Sequence, residues 1–148
     1  MFRKILFAVF LVSVLAATGI AAGSDNAAVA PSYFEGVWVG SWGGFYEPSI
    51  RMDVTLTIEK GGEGGVFPVE YSWGMVQFKN RTVYPGSVKA RGRQQGDQLF
   101  IEWNTKQGDE RKITLQKESE DKVKARFDRG GTLAPGERPN TETYLNRK

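Results

Sequence analysis

The chain has 148 residues, with 20 Lys+Arg against 17 Asp+Glu and neither histidine nor cysteine. That composition excludes a Ser-His-Asp triad, an imidazole base near neutral pH, a thiolate nucleophile and disulfide bracing. It also removes the ligands on which zinc, copper and haem sites normally depend.

The N-terminus reads as a secretory leader. Arg3 and Lys4 form a basic n-region, Ile5 to Leu15 an apolar h-region, and a stretch of mostly small residues runs from Ala16 to Gly23. A signal peptide over residues 1–22 is expected, with Ala28-Val29-Ala30 as a second small-x-small site. A membrane-spanning helix needs ~20 apolar residues, and Ser13, Thr18 and Gly19 interrupt this run. The expectation is therefore cleavage, no stable membrane anchor afterwards, and a periplasmic or extracellular location in a bacterium. No cysteine follows the leader, so lipoprotein-type acylation is excluded. Without Arg3 and Lys4, 18 basic residues face 17 acidic ones, a net charge of +1. The charges are interspersed, and no basic block points to nucleic acid.

Residues 23–33 (GSDNAAVAPSY) are small and polar and are expected to form a flexible lead-in to one domain over 34–148. Gly36 to Trp42 reads as a first strand with Trp38 and Trp42 on one face, ended by Gly43-Gly44. From Arg51 to Lys60, Met52, Val54, Leu56 and Ile58 alternate with polar residues, so one face meets the core and the other water. Gly61-Gly62-Glu63-Gly64-Gly65 forms a turn. It lacks a Gly-Lys-Ser/Thr ending and a following helix, which argues against a phosphate loop. Val66 to Trp73 aligns Phe67, Val69, Tyr71 and Trp73, while Pro68 suggests an edge strand or a bulge.

Met75 to Val83 is a loop with a short extended piece. Ser87 to Gln94 turns Val88, Ala90 and Gly92 inward and Lys89, Arg91 and Arg93 outward. Leu99, Ile101 and Trp103 face in on the next strand, with Phe100 and Glu102 facing out. Ile113 and Leu115 mark a further strand. Val123, Ala125 and Phe127 mark another, and a last strand runs around Thr141 to Arg147. About eight short strands with turn residues between them predict an all-β antiparallel meander. Closure into an up-and-down barrel removes the exposed edges, with a β-sandwich as the alternative.

At Gly36-Val37-Trp38 the chain resembles the calycins, the lipocalin and fatty-acid-binding-protein group of barrels. The resemblance implies that Trp38 plugs one barrel end and that a basic residue of the last strand packs over it. Arg147 fits that place better than Lys148. The chain also resembles a small domain of exported bacterial proteins, through Trp38-Val39-Gly40-Ser41-Trp42, then Tyr71-Ser72-Trp73-Gly74, then Arg129-Gly130-Gly131. The chain is short for a lipocalin and lacks that family's disulfide cysteines.

Few chemistries remain. Calcium needs only oxygen ligands, but no Asp-x-Asp-x-Asp-Gly loop is present. Glu70 and Glu102 are the two acids on aromatic-rich strands, and a carboxylate pair is the minimum for glycoside hydrolysis. Two acids on a sheet are more often surface charges. Glu102 would pair with Arg91 if their strands are neighbours. No cofactor and no metal are expected.

The aromatics are the stronger signal. Trp38, Trp103 and Phe127 sit on apolar faces and read as core. Trp42, Tyr71 and Trp73 lie beside glycines at strand ends, where a barrel mouth would stack a sugar or line an apolar pocket. The expected function is a non-catalytic exported barrel binding a small apolar or amphipathic ligand at its mouth. The alternative is an envelope module with a filled interior that binds a protein partner.

Overall fold

A computed structural model describes residues 32–148 apart from 46, 48, 79, 80 and 134. The leader and nearly all of the lead-in lie outside the described residues. The strands are β1 (Gly36–Gly43), β2 (Arg51–Ile58), β3 (Val66–Trp73), β4 (Val76–Phe78), β5 (Arg81–Val83), β6 (Gly86–Gln95), β7 (Gln98–Asn104), β8 (Glu110–Ser119), β9 (Lys122–Arg129) and β10 (Asn140–Arg147). Eight of them close into an antiparallel barrel in the order β1-β10-β9-β8-β7-β6-β3-β2, and β4 and β5 form a separate hairpin between β3 and β6. The architecture is thus all-β and closed, not a sandwich.

The two-residue rhythm decides which side chains enter. Leu56, Leu99, Ile101, Ile113, Leu115, Val123, Ala125 and Leu145 are fully buried across the middle of the barrel. An eight-stranded barrel is just wide enough for such side chains to fill it. Gly92 leaves no hollow, because a Cβ there would meet Leu99 at 3.1 Å and Val69 at 3.3 Å. Gly64 and Gly65 adopt φ of 74° and 68° in the β2–β3 turn, a conformation that glycine takes at little cost.

One end is sealed by the chain before β1. Phe34 is buried, and its carbonyl accepts the Trp38 indole N–H at 2.8 Å. Arg147 lies opposite Trp38 in the β1–β10 register, with its Cζ 4.3 Å from the indole ring. Its guanidinium donates to the carbonyls of Glu35 and Tyr33, both at 2.6 Å. The Tyr33 hydroxyl shares its one proton between the carbonyls of Ser119 and Lys122. Ser32 Oγ donates to Gln94 at 2.7 Å, so fixed contacts begin before the expected boundary at residue 34. The Ser32 bond to Gln94 and the Arg147 bond to Tyr33 tie down the last two residues of a lead-in whose composition suggested freedom.

Pro68 lies neither on an edge strand nor at a bulge. Strand β3 is flanked by β2 and β6, and Pro68 stands opposite Arg91 without a register shift. Its carbonyl accepts from Glu59 N–H at 3.0 Å, so its nitrogen faces the same side, just past the last β2 pair, Ile58↔Val69. A missing donor costs little where the ladder has already ended.

Candidate ligand-binding mouth

The opposite end gathers the C-terminal ends of β1, β3, β7 and β9, with the starts of β2, β6, β8 and β10. A cavity of about 250 Å³ opens there. Tyr71, Trp73, Trp103 and Phe127 wall it, with Phe45, Met52 and Val83 completing the apolar lining. Arg111, Arg129 and Thr105 supply its polar groups.

The rings are close and partly parallel. Trp103 and Phe127 stack with centroids 5.7 Å apart and planes 12° from parallel. Tyr71 lies 5.3 Å from Trp103 and 5.5 Å from Trp73. Phe45 closes one side edge-on, 5.2 Å from Phe127 and 83° to it. Offset and edge-on packing of this kind suits the ring quadrupoles. Trp73 lies against the bare backbone of Gly86, its register partner, where a Cβ would come within 2.6 Å of the ring. Its indole N–H donates to the Tyr84 carbonyl at 2.9 Å, which joins the ring to the foot of the β4–β5 hairpin.

The structure brings Tyr71 and Trp73 to the cavity wall. Trp42, grouped with them in the sequence reading, stands one layer deeper. It is 1% exposed, stacks on Phe127 at 5.6 Å and donates its indole N–H to the Tyr71 hydroxyl at 3.1 Å. Trp42 therefore touches the cavity wall from behind, through Tyr71 and Phe127. Trp103 and Phe127 face inward, as core residues should, yet both reach the cavity.

Phe45, Arg111 and Arg129 are absent from the sequence-derived set. Phe45 sits in the β1–β2 connection, where no periodicity marks it. Arg129 belongs to the Arg129-Gly130-Gly131 signature, but its direction was not legible. Arg111 and Arg129 are direct partners across β8 and β9, an arrangement of like charges that needs neutralising. Arg111 donates to the Gly130 carbonyl at 2.7 Å and stands 3.5 Å from Asp109. Arg129 donates to Glu137 at 3.1 Å, and Glu137 also holds Arg81 of β5 at 3.1 Å. That bridge fastens the hairpin beside the opening, where Val83 lines the cavity.

The two strand acids sit elsewhere. Glu70 is exposed on the outer wall opposite Lys89. Glu102 is exposed on β7, directly opposite Arg91 in register, and its carboxylate lies 3.5 Å from Lys112. Strand β6 runs between the two acids. Among the described residues, no group of three or more acidic side chains is placed to hold a metal ion.

No family model and no curated protein matches the chain. A de novo designed fluorescence-activating β-barrel is similar in structure, at 18% identity and a TM-score of 0.46, over 78% of this chain and 94% of that one.

Proposed function

We propose that this chain is an exported, non-catalytic, calycin-like barrel that takes a small, flat, amphipathic molecule into its open mouth. The observation that carries the reading is the 250 Å³ cavity walled by Tyr71, Trp73, Trp103 and Phe127. Ligand pockets typically occupy ~300–1,000 Å³, so the occupant is small. The flat wall made by Trp103 and Phe127, 12° from parallel, favours a flat molecule over a branched one. Arg111 and Arg129 at the rim favour one with a hydrogen-bond acceptor at one end.

Export rests on the leader, and the calycin likeness on Gly36-Val37-Trp38 with Arg147. The packed middle of the barrel supports a second reading, a filled envelope module that pairs with another protein. Native mass spectrometry of protein purified from its source separates the two, together with tryptophan fluorescence titrations against 2-naphthol, indole and decanol. A retained small molecule and saturable quenching by the flat probes support the binding module. A bare mass and unchanged fluorescence across the panel would leave the interaction module.

A further inference from the structure

We propose a second binding site on the outer wall, a cationic groove across β6, β7 and β8 that takes an acidic polysaccharide. The groove encloses about 560 Å³ and is lined by Arg91, Arg93, Gln95, Phe100, Glu102 and Lys112, with the backbone of Gly92 between the arginines. It lies outside the barrel and is independent of the mouth cavity.

Charge is the first argument. Arg91 and Arg93 project outward two residues apart on β6, and both are exposed. Neither guanidinium has an ion-pair or hydrogen-bond partner among the described residues. The one acid of the groove, Glu102, is held by Lys112 at 3.5 Å. Lys89, further along the same face of β6, has Glu70 opposite it. The groove therefore keeps the charge of two uncompensated guanidinium forks. That planar fork matches a carboxylate with two parallel hydrogen bonds.

Phe100 supplies the second argument. It stands opposite Arg93 in the β6–β7 register, half-buried, with the Lys112 ammonium 4.8 Å from its ring centroid. An aromatic side chain on an outer wall, between cations, offers an apolar floor to the C–H face of a sugar ring. Gln95 adds an amide that can serve sugar hydroxyls as donor or acceptor. A single-stranded nucleic acid would want successive aromatic platforms for successive bases, whereas Phe100 is the one aromatic lining this groove. The chemistry of one ring face with flanking guanidiniums suits a uronate-bearing glycan.

The test uses the full domain and polygalacturonate as the probe, at low ionic strength where exposed charges are least screened. Binding is measured by isothermal titration for the parent, for R91Q/R93Q, for F100L and for K60Q/K106Q. Lys60 and Lys106 are exposed and do not line the groove, so that variant removes equal charge elsewhere. Circular dichroism melts confirm that each variant remains folded. The proposal expects saturable binding, at least a tenfold loss in R91Q/R93Q, a clear loss in F100L and little change in K60Q/K106Q. It is overturned by an absence of binding, by equal losses in the two charge variants, by equal binding of neutral dextran, or by tighter binding of oligothymidylate than of polygalacturonate. None of these outcomes bears on the mouth cavity, whose probes are uncharged.

Discussion

Removing the Arg147 side chain should unlock the sealed end of the barrel. In the intact protein the guanidinium donates to the Tyr33 and Glu35 carbonyls at 2.6 Å and lies 4.3 Å from the Trp38 ring. Hydrogen bonds from a charged donor contribute about 1.5 kcal/mol each. A cation over an indole face adds about 0.5–1 kcal/mol. The side chain is 29% exposed, so water recovers part of that loss. The net cost of R147A is then about 2–3 kcal/mol, a fall in Tm of about 10 °C for a domain of this size. R147K keeps the charge but not the fork, and should lose about half as much. Thermal unfolding followed by far-UV circular dichroism measures both. If R147A melts within about 2 °C of the parent, the clamp contributes little and the argument for a sealed end is wrong.

Other consequences follow from the same packing. Y71F leaves the buried Trp42 indole N–H without its 3.1 Å acceptor, and denaturant unfolding should show a loss of about 1–3 kcal/mol. E137Q weakens the bridge from Arg129 to Arg81. It should cost about 2 kcal/mol and speed ligand entry in stopped-flow fluorescence, because the hairpin is then less firmly held. Burial pushes the Tyr33 phenol up from 10.0, although the Arg147 guanidinium opposes the shift. The folded state therefore holds this proton more tightly than the unfolded chain does. Its contribution is fully present below pH 10 and is lost as pH rises through the folded value. Tyrosinate absorbance should lose a late-titrating component in Y33F, and the alkaline loss of stability should be shallower in that variant.

Strand parity was legible in the residues, and depth along the barrel was not. Val54, Leu56 and Ile58, or Ile113 and Leu115, announce their inward face through simple alternation. Which residues share a layer depends on strand tilt and on the stagger of the register, neither of which alternation encodes. Trp42 and Trp73 both end their strands beside glycine, yet one is sunk behind Phe127 and the other lines the opening. Phe127 looked like ordinary core and is buried, while Trp103 is only partly buried against the core; both come from strands that reach the mouth. Phe45 and Glu137 lie in connections, where a fold is required before any side chain acquires a direction. Ser32 and Tyr33 bond to Gln94 and Arg147 although they end a flank expected to be flexible, because small and polar residues give no sign that a barrel end waits to be plugged. Pro68 misled for a related reason, since a missing N–H matters only if a partner strand extends far enough to need it.

The central claim, a barrel sealed at Trp38 and open at Tyr71 and Trp73, is tested most directly by the indole N–H resonances of the four tryptophans in a titration with 2-naphthol. The account predicts saturable shifts for Trp73 and Trp103, a smaller one for Trp42 through Tyr71, and none for Trp38, which is bonded to Phe34 at the far end. Shifts at Trp38 with none at Trp73 and Trp103, or no shift at any indole, would contradict it.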